Sequence, residues 1–133
     1  MSFTWSSAAI VRALHAKLLA EHGGLPGAPQ IEVLEHALAR PHDLLACDEI
    51  PESLPALAAA YGFALASAHC FPDGNKRVAL AVIDVFLQLN GHELTASEAE
   101  AVWAIRELDA GALNEPQLAD WIQAHCQPLP RPS

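Results

Sequence analysis

Basic residues are scarce in this chain: seven lysines and arginines stand against 16 acids, and the net charge is −9. Nonspecific nucleic-acid binding and docking on anionic membranes both need a basic face that displaces counterions, so neither partner is expected. Aromatic residues make up only 6% of the 133 positions and β-branched residues are few, which leaves little material for a sheet. Cysteine is limited to Cys47, Cys70 and Cys126, an odd number without CxxC spacing, and no basic segment leads into an apolar run at the N-terminus. A disulfide framework and a secretory leader are therefore not expected, and a reduced, cytoplasmic setting is. Long apolar runs are also missing. The stretches 56–68 and 78–89 fall short of the roughly 18 residues of a membrane span, and Asp84 and Gln88 interrupt the second.

What the chain does have is alanine and leucine, which favour helices. Its length suits one core without staples. Residues 1–126 are expected to form one all-α domain, a compact bundle of about six helices around a central buried helix, with 127–133 as a proline-rich flexible tail. Ile10, Val11, Leu14, Leu18 and Leu19 recur at helical spacing between Trp5 and His22, with Ser6 or Ser7 as cap and Gly23-Gly24 as stop. A short second helix is predicted from Gln30 to Ala39. Proline-bounded residues 41–51 then read as a surface loop or flap. Pro55 suits the first turn of a third helix reaching Ala68. Gly74 to Leu89 is apolar on nearly every side and predicts the central helix, ended by Asn90-Gly91. Ser97 with Glu100 forms a capping box for a fifth helix that ends near Asp109, and Asn114 with Pro116 starts a sixth ending near His125.

The loop and helix start His69-Cys70-Phe71-Pro72-Asp73-Gly74-Asn75-Lys76-Arg77 concentrates chemistry. A helix start presents unpaired N–H groups and partial positive charge, and a glycine there lets an anion approach the backbone. Gly74 offers that access, while Asn75, Lys76 and Arg77 add side-chain donors in the same turn. Lys76-Arg77 is the one adjacent basic pair in an acidic chain, placed where the helix dipole disfavours cations unless an anion is bound. Asp73 could ligate Mg²⁺, which commonly takes one or two carboxylates plus phosphate oxygens. Just ahead lies His69, whose imidazole suits general-base work near neutrality. Phe71 reads as an anchor that inserts into the bundle. Singly, each has an ordinary explanation: a capping histidine, an Asp-Gly turn, a solvated Lys-Arg pair. Their coincidence in nine residues favours one site for a polyphosphate and a hydroxyl.

That nine-residue string resembles the H-x-F-x-D-G-N-K-R signature of the Fic/Doc family, specifically its death-on-curing (Doc) toxin branch. Leu14-His15, Gly23-Gly24-Leu25-Pro26-Gly27, Leu38-Ala39-Arg40-Pro41, Asn90-Gly91 and Leu94-Thr95-Ala96-Ser97 extend the resemblance over nearly the whole chain. Two residues depart from the pattern: Cys70 stands where proline is frequent, and Asp84 is an unusual acid in the central helix. The resemblance implies the toxin of a toxin–antitoxin system, an ATP- and Mg²⁺-dependent protein kinase that phosphorylates a threonine of elongation factor Tu and stops translation. By the same likeness His69 is the base, Asp73 the magnesium ligand, and Gly74, Asn75, Lys76 and Arg77 the phosphate cradle. The 41–51 flap would position the target segment. Fic relatives transfer AMP and carry glycine where this chain has Lys76, and the lysine is taken to reverse the nucleotide so that the γ-phosphate faces the hydroxyl. The expected partner is an antitoxin whose disordered tail folds as a helix into a groove. An adenylyltransferase on the same scaffold and a catalytically idle helical binding module are the rival readings.

Elsewhere the signals are weaker. Seven histidines include no His-x₃-His pair and no HExxH, which argues against a transition-metal site; His15 is expected to pack near the active site, as in the family. The 23–27 segment lacks the GK[ST] ending of a phosphate loop and reads as a turn. Trp5, Trp103 and Trp121 read as core residues, with Trp103 and Ile105 as possible groove lining.

Overall fold

The computed structural model describes residues 3–130. Six helices dominate it: α1 (Ala8–His22), α2 (Ile31–Ala46), α3 (Leu54–Ala68), α4 (Asn75–Leu89), α5 (Glu98–Asp109) and α6 (Glu115–Ala124). The all-α bundle expected from composition is the observed architecture. No described helix is long and apolar enough to cross a membrane.

Local chemistry sets most boundaries. Ser7 caps α1 through Ile10 N–H, while Ser6 is buried instead and donates its backbone N–H to the Tyr61 hydroxyl at 3.2 Å. Ser53 caps α3 with Pro55 in its first turn, and both Ser97/Glu100 and Asn114/Gln117 form complete capping boxes. Asp84, the odd acid of α4, accepts from Leu94 N–H at 3.1 Å and from the Gln88 amide at 3.0 Å, so its charge ties the helix to the chain that follows.

Three expectations require correction. The second helix does not end at Ala39, and the flap does not begin at Pro41: α2 continues through Pro41 to Ala46, leaving only 47–53 as loop. An interior proline costs about 3 kcal/mol in a free helix. Here Leu34, Ala37 and Pro41 form one buried stripe at helical spacing, and Arg40 holds the same turn to α6 through both oxygens of Glu115. Tertiary burial therefore overrides the local signal. In addition, Gln127 and Pro128, assigned by sequence to a loose tail, belong to a strand. β1 (His92–Leu94) pairs antiparallel with β2 (Cys126–Pro128), with Glu93 opposite Gln127. Residues 131–133 of that tail lie outside the described residues.

The central helix is α3, not the 74–89 helix that its apolar sequence suggested: α3 packs against α2, α4, α5 and α6 and buries ten residues from Ala56 to Ala66, whereas α4 buries six and leaves its other face part-exposed. The small side chains of α3 let α4 approach closely, and α4 buries Val78, Ala79, Val82, Ile83, Phe86 and Leu87 along the shared face. Gly62 is the closest point. A Cβ there would overlap Ile83 Cδ1 and stand 2.9 Å from its Cγ1. Overpacking of a filled core costs about 1–3 kcal/mol, whereas Gly→Ala in a helix returns up to about 1 kcal/mol. Gly62→Ala is therefore expected to lower stability by up to about 2 kcal/mol, against the helix-propensity sign. Urea unfolding followed by circular dichroism checks this, and an unchanged or raised midpoint would contradict the close approach.

Candidate active site

Helix α3 stops because His69 adopts a left-handed conformation, φ 50° and ψ 46°, in which the next residue cannot continue the helix. Five residues later Gly74, at φ 79°, reverses the chain again and opens α4. The loop between them is pinned from several sides. Cys70 and Phe71 are buried, and the Phe71 ring stacks on His15 of α1 with centroids 3.8 Å apart. Asn75 closes a two-point clamp: its side-chain oxygen accepts from Phe71 N–H at 3.0 Å, and its amide donates to Phe71 C=O at 2.9 Å. Gln30 N–H donates to Cys70 C=O at 2.8 Å. His15 donates through Nε2 to the Asp73 carbonyl at 3.1 Å, which assigns the tautomer because a carbonyl only accepts.

Asp73 is held by backbone on both oxygens, accepting from Leu25 N–H at 3.2 Å and from Gly74 N–H at 2.8 Å. Chiefly the Leu25 bond, then the Gly74 bond, and to a lesser degree the charge of Arg77 keep its carboxyl below the ordinary aspartate range. The 23–27 turn, which sequence reasoning treated as a plain connection, forms the facing wall. A Cβ on Gly24 would lie 2.8 Å from Asp73 Oδ2, and one on Gly27 would lie 2.7 Å from Pro72 Cγ. Three glycines in five residues are more than a helix stop requires, and that surplus was the readable signal of a close approach.

Between these walls lies an open cleft of about 550 Å³. It is lined by His22, Gly23, Gly24 and Pro72 and by all six residues singled out from sequence: His69, Asp73, Gly74, Asn75, Lys76 and Arg77. Four of the six helices begin with a side-chain cap; α4, at the cleft, has none, so its first-turn N–H groups face no such acceptor. His69 is exposed and makes no hydrogen bond among the described residues, which leaves its ring nitrogens available. The Asn75 side chain is committed to the loop, so its backbone N–H is what it can offer an anion. Arg77 is exposed and forms no ion pair among the described residues. Lys76 reaches Asp109, the last residue of α5, with Nζ 2.9 Å from Oδ2 and both side chains part-exposed. Each of these charges sits at the helix end its macrodipole disfavours by about 0.3–1 kcal/mol, and an exposed pair contributes about 0–1 kcal/mol. The pair therefore adds little to stability. Cys70 is no competing nucleophile, because burial pushes its thiol pKa up.

The donor set suits a polyphosphate: an open helix start, a glycine without a Cβ, and two cations. One ionised, solvent-facing carboxylate suits Mg²⁺, which keeps several waters and takes few protein ligands. Trp103, read as core, is half exposed on α5, whereas Trp121 is buried.

The Fic/DOC family profile matches residues 5–87, more than half of the chain, and the protein belongs to that family. A relative within it is the Protein kinase doc of Escherichia phage P1, 38% identical over 79 residues. The similarity spans 59% of this chain and 62% of that protein, less than two thirds of the relative's length.

The lowered pKa of Asp73 has a stability consequence. A carboxylate whose folded pKa is depressed stabilises the fold above its ordinary value of 3.8, and the contribution disappears as pH falls through the lower, folded value. Asp73→Asn is expected to be less stable than the parent at pH 7 and at pH 5, with the gap closing only below 3.8. Urea midpoints across that range check it, and a gap already closed at pH 5 would contradict the double backbone anchorage.

Proposed function

We propose that this chain is a Doc-type protein kinase, the toxin of a cytoplasmic toxin–antitoxin pair, which uses ATP and Mg²⁺ to phosphorylate a threonine hydroxyl of a protein target. Elongation factor Tu is the proposed target and a cognate antitoxin the proposed partner. The observation that carries this reading is the meeting, in one cleft, of an unbonded imidazole, an uncapped helix start and the Lys76 cation. The phage relative's description as a protein kinase adds support.

In this reading the α4 start, Gly74 and Arg77 bind the phosphates through backbone and guanidinium donors, and Lys76 places a further charge beside His69. When bound with the nucleotide, magnesium offsets phosphate charge, and Asp73 is the residue that would hold it. His69 takes the proton of the acceptor hydroxyl as the new oxygen–phosphorus bond forms and the bond to the departing diphosphate breaks. The clamp on Phe71 keeps that imidazole in place during the step, so the positioning is built in before substrate arrives. Exclusion of water falls to the target segment.

Labelled ATP separates the two enzyme readings. Label at the γ-phosphate is expected to appear on the target and label at the α-phosphate is not; retention of α label would replace kinase by AMP transfer. His69→Ala is expected to lower transfer at least about 100-fold, the lower range of general-base effects, and to abolish growth arrest in bacteria. Equal arrest by both proteins would point to a binding module without catalysis.

A further inference from the structure

Behind the main cleft lies a second hollow of about 170 Å³, bounded by Ser67, His69, Lys76, Ile105 and Asp109. Only His69 and Lys76 line both hollows, so these two side chains form the partition between them. Lys76 is tethered from the far side, where Asp109 Oδ2 lies 2.9 Å from Nζ. We propose that Asp109 is a positioning residue: it holds the Lys76 ammonium on the partition beside His69, where the transferring phosphoryl group and the acceptor hydroxyl must meet. This rests on the kinase reading in that it assigns Lys76 to the transferring phosphate.

Three observations converge. Both charges occupy helix ends that disfavour them, Lys76 at the start of α4 and Asp109 at the end of α5, so neither placement is explained by the helix that carries it. The stem of a lysine is long and flexible, and a single anchored bond at its tip selects one location from many. An ammonium has three donors, of which Asp109 engages one, leaving two for phosphate oxygens. Asp109 itself lies outside the main cleft, on an element that contributes nothing else to that cleft's lining. Its influence on the reaction therefore runs through Lys76.

Removing the tether leaves the positive charge but not its location. Ground-state attraction to the nucleotide should survive, while stabilisation of the transferring group weakens, so the loss falls on kcat more than on KM. Asp109→Ala is expected to lower kcat about 5- to 10-fold with KM for ATP within about twofold. Asp109→Glu is expected to recover part of the loss. In a Lys76→Ala background Asp109→Ala should cost nothing further, because the two residues act as one unit. Thermal unfolding of Asp109→Ala should stay close to the parent, as an exposed pair contributes little.

A readout independent of catalysis uses the fact that Lys17 and Lys76 are the only lysines in the chain. Limited acetylation with an activated ester, followed by peptide mass spectrometry, should show Lys76 reacting several-fold faster in Asp109→Ala, with Lys17 unchanged. Unaltered Lys76 reactivity overturns the tether. Faster acetylation with unchanged kcat overturns its catalytic role, as does an additive loss in the double variant. If the parent protein transfers no γ-phosphate, the kinase reading and the catalytic role fall together, while the acetylation rates still decide whether Asp109 holds Lys76.

Discussion

The chain must leave one packed helix and begin another within six residues, and the loop that does so has Cys70 and Phe71 buried against the bundle. Two left-handed residues, His69 and Gly74, make the reversal sterically possible. Asn75 makes it energetically tolerable by bonding both the N–H and the C=O of Phe71, groups that would otherwise lie in the interior without partners. His15, Gln30 and Leu25 add bonds from three further positions. The contacts that fold the loop thus also set the geometry of the candidate site.

Packing places that loop. Helix α3 is rich in alanine and sets Gly62 directly against Ile83 of α4, a close approach that fixes the start of α4 relative to the end of α3. Because His69 closes one helix and Lys76 lies in the first turn of the other, their separation is governed by the core rather than by loop flexibility. An imidazole presented in this way needs little reorganisation to meet a bound molecule.

Charge distribution complements this geometry. Against a net charge of −9, Lys76 and Arg77 stand together at a helix end that repels cations, and Asp109 stands at one that repels anions. Such placements are unfavourable in the isolated helices and become useful only when an anion or the opposite charge is brought alongside. Lys76 and Asp109 are brought together by the docking of α5 next to α4.

Much of the protein was legible in one dimension. The helical class followed from alanine and leucine; the caps at Ser7, Ser97 and Asn114 follow short-range rules, because each side chain bonds a backbone group about three residues on. The nine-residue site was legible for the same reason: its groups are close in sequence and therefore close in space. Long-range contacts were not. Pro41 signals a helix end locally, yet its ring completes a buried stripe whose value depends on α3 and α6. Strand β2 exists only because residues 126–128 meet 92–94 across two intervening helices. The 23–27 turn became a wall of the cleft, and Asp109 the partner of Lys76, only when distant segments were packed together. The sequence by itself determined which helices form, through interactions spanning one or two turns, and where the reactive groups cluster. Only the tertiary structure decided which remote residues hold those groups in place, because that depends on burial and distance between segments the sequence keeps far apart.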